Sequence, residues 1–199
     1  MLRLPRLVVA TGNPGKLREF AALLAGVVDE VLPQSHFGVT AVEETETTFV
    51  GNALLKARHA AAVTGLPALA DDSGLEVDAL GGAPGVYSAR YAGDQATDEA
   101  NNAKLLHAVS ALPDPLTARY RAALVLVRSA DDPSPIVAEG VWEGAIGRTR
   151  QGSGGFGYDS LFLIDEGART AAELPSEEKN RRSHRALALQ QLLALLSEG

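Results

Sequence analysis

The apolar positions of this chain change period several times, and each change marks an element. Leu7-Val8-Val9-Ala10 is apolar throughout, which predicts a strand buried on both faces. Leu17, Phe20, Leu23 and Leu24 then recur at helical spacing, and Gly26 follows as a stop. Val31-Leu32 predicts a short second strand. A longer helix runs from about Phe49 to Thr64, with Thr48 as its N-cap and Gly65 closing it. Phe49, Ala53, Ala57, Ala60 and Thr64 give that helix a face of mostly small residues, suited to close packing on a sheet. After Leu66-Pro67, the apolar run Ala68-Leu69-Ala70 meets Asp71-Asp72-Ser73-Gly74. Neighbouring strand residues point to opposite faces, so two adjacent carboxylates at one cleft require the strand to end there, with Gly74 permitting the turn.

Leu75, Val77 and Ala79 alternate with Glu76 and Asp78, the pattern of a half-buried strand. Gly81-Gly82-Ala83-Pro84-Gly85 is a loop. Thr97 caps a helix ending near Val109, and Tyr120 to Val127 reads as a central strand. Ile136 to Ala138 pairs back across the turn at Asp131-Asp132-Pro133, and Val141 to Ile146 continues the β signal. Leu161 to Ile164 is a further strand, Pro175 to Lys179 starts a helical turn, and Ser183-His184-Arg185 caps a last helix running to about Ser197.

Composition narrows the class. The 199 residues suit one large domain or two small lobes sharing a sheet, and 46% hydrophobic residues can fill a sizeable core. A net charge of −7 argues against broad nucleic-acid binding, which needs a basic footprint, but leaves room for a local basic pocket. The absence of cysteine excludes disulfides, thiol nucleophiles and Cys-type zinc sites, and is compatible with a reducing cytoplasm. The histidines, at 36, 59, 107 and 184, lack zinc-ligand spacing. Met1-Leu2-Arg3-Leu4-Pro5-Arg6 leads into only four apolar residues, too few for a signal-peptide core. No apolar run approaches the ~20 residues of a membrane helix, so no membrane partner is expected.

Five stretches carry candidate chemistry. Thr11-Gly12-Asn13-Pro14-Gly15-Lys16 lies between a strand and a helix, where backbone N–H groups, the helix dipole and Lys16 can hold a phosphate. The same stretch also reads as a plain βα turn, and it is no Walker A loop, since Leu17 follows the lysine. Asp71 and Asp72 suit a hard cation such as Mg²⁺, with one acid left to activate water, and Glu43-Glu44-Thr45-Glu46 can bring a further ligand or simply be a solvated run. Gly152 to Gly157 matches G-x-G-x-x-G literally, but a strand follows it rather than a helix. Its glycines with Phe156, Tyr158 and Asp159 suit a flat ligand, stacked on a ring and read at its edge; otherwise it is a flexible loop. Arg181, Arg182, His184 and Arg185 gather cations at a helix N-terminus, where they oppose the dipole, and an anionic ligand explains that placement most simply.

Taken in order, Thr11-Gly12-Asn13-x-x-Lys16, Ala70-Asp71-Asp72-Ser73-Gly74-Leu75 with Gly81-Gly82-x-Pro84-Gly85, and Phe156-Gly157-Tyr158-Asp159 with Glu178-Lys179 and Ser183-His184-Arg185 resemble the inosine/xanthosine triphosphate pyrophosphatases. The resemblance covers essentially the whole chain. It implies an α/β fold with an elongated mixed β-sheet flanked by helices, two lobes with the active-site cleft between them, a single domain over residues 1–199, and a cytoplasmic homodimer. It implies Mg²⁺-dependent hydrolysis of dITP, ITP and XTP to the monophosphate and pyrophosphate. Carried over by position, Thr11, Gly12, Asn13 and Lys16 hold the phosphates. Asp72 accepts the proton and binds metal, supported by Asp71, and Glu43 or Glu44 assists with the metal. Ser73 contacts substrate. Phe156, Gly157, Tyr158, Asp159, Lys179, His184 and Arg185 surround the base and its neighbouring phosphate.

One position departs from the family. Gly51-Asn52-Ala53 stands where the family usually has Glu-Asn-Ala, and glycine costs a helix roughly 1 kcal/mol relative to alanine. Glu43, Glu44 or Glu46 is then left to compensate. Two alternatives stay open from the residues: a pyrophosphatase for other modified nucleotides, and a nucleotide-binding protein without catalysis.

Overall fold

In the computed structural model, which describes residues 3–198, several helices start or stop where a side chain or a glycine satisfies the end. The elements in order are β1 (Leu4–Val9), α1 (Pro14–Leu23), β2 (Val28–Pro33), α2 (Phe49–Thr64), β3 (Ala68–Val77), α3 (Asp98–Val109), β4 (Thr117–Val127), β5 (Ile136–Ile146), β6 (Phe162–Ile164), β7 (Arg169–Thr170), α4 (Ser176–Arg182) and α5 (His184–Glu198). Met1, Leu2 and Gly199 lie outside the described residues, as do the side chains of Glu19, Glu198 and Leu23, the last of which was assigned to the apolar face of α1.

The caps explain the boundaries. Pro14 takes the first helical position of α1, where its missing N–H costs nothing, and Asn13 Oδ1 accepts from Gly15 N at 2.8 Å and Lys16 N at 3.2 Å. Thr48 Oγ1 accepts from Gly51 N at 3.0 Å, and Gly65 closes α2 at φ +67°. Thr97 Oγ1 accepts from Ala100 N at 3.2 Å at the start of α3. Ser183 Oγ accepts from Ala186 N at 3.3 Å at the start of α5.

The sheet is mixed and seven-stranded, in the order β2-β1-β3-β4-β5-β6-β7. β1 runs parallel to β2, with Val8 opposite Leu32, and parallel to β3, with Val8 opposite Ala68. β6 runs antiparallel to β5 and β7. The helices supply the crossovers that parallel strands need.

One expectation is corrected. β3 does not end at the two aspartates but continues through Asp71, Asp72, Ser73 and Gly74 to Val77, so the separate strand expected from Leu75 is its continuation. The pleat therefore sends the two carboxylates to different partners rather than to one point.

The chain divides into two compact units. The first comprises Met1–Asp72, Ala123–Glu139 and Ala188–Gly199, and a core cluster of Val8, Ala10, Val39, Ala53, Ala57, Ala60, Ala61, Ala68, Ala70, Val125 and Val127 lies within it. Small residues let α2 lie close on the strands. The second comprises Ser73–Ala122 and Gly140–Leu187 and holds a cluster with larger side chains, among them Tyr120, Trp142, Tyr158 and Phe162. Phe162 sits 4.6 Å from Tyr120 and 5.5 Å from Trp142, ring centre to ring centre.

Candidate active site

In the first unit, α2 and the start of α1 bring cations to the two aspartates of β3. Asp71, 4% exposed, accepts from Lys16 Nζ at 2.7 Å. Asp72, 8% exposed, accepts from Asn52 Nδ2 at 3.1 Å and from Lys56 Nζ at 3.5 Å, and Lys56 Nζ also donates to Glu44 Oε1 at 2.6 Å. Burial disfavours the charged Lys56, but the carboxylates of Asp72 and Glu44 outweigh it and hold the ammonium above the ordinary lysine range. Asn52 Oδ1 accepts from Glu46 N at 3.0 Å, tying the acidic stretch to the helix that carries Lys56. His59 Nε2 lies 3.1 Å from Thr40 O and anchors the start of that stretch.

A cavity of about 210 Å³ opens here, lined by Thr11, Gly12, Lys16, Glu44, Lys56, His59 and Asp71 among others. Asp72 is not in that lining and is joined to it through Lys56. The loop before α1 holds itself in shape: Asn13 N donates to Thr11 Oγ1 at 3.1 Å, and Asn13 Oδ1 occupies the Gly15 and Lys16 amides. The charge that this loop offers an anion is thus the Lys16 ammonium, while those two amides serve the cap. Glu43 is exposed and takes no part in these bonds.

Among the described residues, no cluster of three or more His, Cys, Asp or Glu side chains forms a ready-made ion cage. The donor set still fits Mg²⁺. That ion keeps most of its waters and is held by one or two carboxylates with substrate phosphates, and Asp72 and Glu44 already share one positive charge between them.

Gly51 shows what its side chain would cost. A Cβ there would lie 2.8 Å from Glu46 Cβ and 2.9 Å from the capping Thr48 Oγ1, so Glu46 fills the space beside the first turn of α2.

In the second unit, the glycine loop, α4 and the start of α5 build a different site. Asp159, 4% exposed, is paired with Lys179, and its Oδ2 also accepts from Phe156 N at 2.8 Å. Gly155, at φ +70°, lies so close to the Asp159 carboxylate that a Cβ would run into it. The Phe156 ring is 57% exposed, with Lys179 Nζ 5.1 Å and Arg185 Cζ 5.3 Å from its centre. Arg185 Nη2 donates to Ser73 Oγ at 2.9 Å. Tyr158 is buried and donates its hydroxyl to Ser88 O at 2.7 Å; burial, then the charges around it, push that hydroxyl up. His184 is buried and stacked on Tyr120 at 4.7 Å. Burial, and then the Asp159 charge, hold the Tyr120 hydroxyl well above its usual range. Arg182 pairs with Asp165 and Glu178 rather than reaching toward Phe156.

The residues expected at the site therefore fall into two groups: Thr11, Gly12, Lys16, Glu44 and Asp71 around the cavity with Asp72 beside it, and Ser73, Phe156, Asp159, Lys179 and Arg185 around the exposed ring. Sequence reasoning missed Asn52 and Lys56. Their signal was their spacing, since each stands one residue ahead of Ala53 and Ala57 and so borders the face of α2 laid against the sheet.

A mixed α/β sheet with a lysine-and-carboxylate cavity at a strand–loop–helix turn is a setting that suits a phosphorylated small molecule. The model of the Ham1 family matches residues 7–195. The chain is 56% identical to a dITP/XTP pyrophosphatase of Pectobacterium atrosepticum and 58% identical to one of Thioalkalivibrio sulfidiphilus, each over 96% of this chain and 98% of the relative. A solved HAM1 protein from Coxiella burnetii superposes with a TM-score of 0.94 at 47% identity, covering 98% of this chain and all of that one. The Ham1 protein of Staphylococcus aureus gives 0.89 at 38% identity, covering 97% of this chain and 98% of that one. The chain belongs to the Ham1 family.

Proposed function

We propose that this chain hydrolyses deaminated purine nucleoside triphosphates, dITP, ITP and XTP, to the nucleoside monophosphate and pyrophosphate. The observation that carries the reading is the set of buried carboxylates, Asp71 and Asp72, each bonded to a lysine beside the Thr11–Lys16 loop. The relatives, dITP/XTP pyrophosphatases, support the same reaction and substrates.

The chemistry follows from the side chains. Water attacks the α-phosphorus and pyrophosphate leaves, so most of the work is positioning and charge stabilisation. Asp72 takes the proton from the attacking water, held in place by Asn52 and Lys56, with Asp71 in support. Lys16 exchanges Asp71 for the phosphates and offsets charge on the leaving group, within the loop of Thr11, Gly12 and Asn13. Asp72 and Glu44, with Glu43 next in the chain, would hold Mg²⁺, which when bound offsets charge on the triphosphate oxygens.

The second unit reads the base. Phe156 offers the stacking face, with Gly157 allowing close approach and Tyr158 anchoring the loop from beneath. Lys179 and Arg185 carry donors only, which suits the 6-oxo acceptor of hypoxanthine and xanthine and leaves adenine's amine unpaired; guanine shares the 6-oxo group, so its rejection depends on the 2-position. Asp159 aims Lys179, His184 backs the pocket through Tyr120, and Ser73 contacts substrate beside Arg185. The family resemblance adds a homodimer, a single domain and a cytoplasmic setting to the proposal. No helix among the described residues is long and apolar enough to cross a membrane.

Incubation with ITP and Mg²⁺, with ATP and GTP in parallel, tests the reading by product identity. IMP and pyrophosphate from ITP, with ATP and GTP largely intact, is the expected result. IDP and phosphate would overturn the α-phosphorus mechanism, and ITP binding without product would leave a binding protein.

A further inference from the structure

Phe156 stands in a glycine-rich loop, and such a loop is costly to order. An exposed ring is useful as a stacking face only if its backbone keeps one position. Within the second unit, both backbone polar groups of the next residue, Gly157, are bound by side chains of α3. Gly157 N donates to Asp98 Oδ2 at 2.6 Å, and Gly157 O accepts from Asn102 Nδ2 at 2.8 Å. Asn102 Nδ2 also donates to Asp98 O at 2.7 Å, joining the pair. The two residues stand at i and i+4 on the first turns of α3, so one helix face presents both. Asn102 is 1% exposed, and its Oδ1 is buried without a hydrogen-bond partner. An unmet buried acceptor is unfavourable, so the position is held for what its Nδ2 does.

From this geometry we infer that Asp98 and Asn102 are positioning residues for the base end of the substrate, acting through the Gly157 backbone on the Phe156 ring. The inference rests on the reading of Phe156 as the base-stacking face. Asp98 bonds the peptide that follows Phe156, and Asn102 bonds the one after it. Tyr158, bonded to Ser88, and Asp159, bonded to Phe156 N, hold the loop at other points, so removing either α3 contact loosens the ring without unfolding the loop. A carboxylate in the first turn of a helix also favours the dipole, which is a purely structural role for Asp98. Asp98→Asn separates the two, because it removes the charge and keeps the acceptor.

The test is steady-state hydrolysis of ITP by Asp98→Ala, Asn102→Ala and Asp98→Asn, together with inhibition by inorganic tripolyphosphate, which carries phosphates and no base. In both alanine variants, KM for ITP is expected to rise about tenfold, in line with the loss of base–aromatic stacking, with kcat within about threefold. Tripolyphosphate inhibition is expected to stay at the wild-type value, and Asp98→Asn to keep KM near wild type. An unchanged KM in both alanine variants would overturn the inference. So would a parallel weakening of ITP and tripolyphosphate, which marks a general loss of structure. Should Asn102→Ala fold poorly, Asp98→Ala, at an exposed position, carries the test alone. Phe156→Ala tells the two failures apart. If it leaves KM for ITP unchanged, the base-stacking reading fails and the positioning role with it. If it raises KM while the α3 variants do not, only the positioning role fails.

Discussion

In the first unit Lys16 meets Asp71, and Lys56 reaches both Glu44 and Asp72; in the second, Lys179 meets Asp159, and Arg185 reaches Ser73. Both sites set a buried aspartate against a lysine, but the charge balance differs. Asp71, Asp72 and Glu44 stand beside Lys16 and Lys56 in the first site, a carboxylate-rich set that suits a hard cation arriving with a polyphosphate. Around Phe156, Lys179 Nζ and Arg185 Cζ lie 5.1 Å and 5.3 Å from the centre of an exposed ring, and Lys179 is paired with Asp159. That site offers donors beside a flat face. On the proposed function the first set does the reacting and the second the recognising, and each can be tested alone.

The largest expected effect is on the first site. Asp72→Asn should lower kcat for ITP by about 10²–10⁴-fold at saturating Mg²⁺, because it removes the proton acceptor and weakens a carboxylate that would hold the metal. Measured pyrophosphate release checks this, and a kcat within a few-fold of wild type would break the division of labour. The mirror experiment is Phe156→Ala, expected to raise KM about tenfold and leave the melting temperature unchanged, since the ring is 57% exposed. A fall in kcat without a change in KM would break the comparison from the other side.

Asn52→Ala should cost stability in the first unit by about 1–3 kcal/mol, because Asp72 and the Glu46 amide each lose a buried partner. Denaturant unfolding measures it. The smallest effect belongs to the ion pairs that steady α4, the helix carrying Lys179. Hydrogen bonds from Arg182 and Arg169 lower the Asp165 carboxyl from 3.8 to about 2. A lowered folded-state pKa stabilises above the unfolded value and is lost as pH falls through the folded one. Asp165→Asn should therefore melt slightly below wild type at pH 7, with the gap closing between about pH 3.9 and about pH 2. A gap independent of pH would assign the effect to packing.

Much of the fold was legible from local rules. Thr48, Thr97 and Gly65 cap where capping chemistry places them, and the small-residue face of α2 packs as its spacing requires. The end of β3 was not legible. Asp-Asp-Ser-Gly reads as a turn because those residue types favour turns, yet β3 continues, since Leu75 and Val77 are fully buried beyond it and Leu75 N is bonded to Ser88 Oγ at 2.8 Å. Burial outweighed local preference there. At the site, Lys16, Asp71 and Asp72 were legible because they sit together in marked motifs. Lys56 and Asn52 were not, because their one signal, a place beside the small-residue face of α2, says nothing of a partner until a strand is laid against it.

By itself, then, the sequence determined the identity of the chemical groups, the helix caps and the family, since each rests on residues close together or on an ordered set of motifs. Only the tertiary structure decided which lysine meets which aspartate, that Asp71 and Asp72 serve different partners, and that α3 holds the loop of Phe156. Those are contacts between residues 16 and 71, 56 and 72, and 102 and 157, set by the packing of helices on strands and by the alternation of a strand that does not stop.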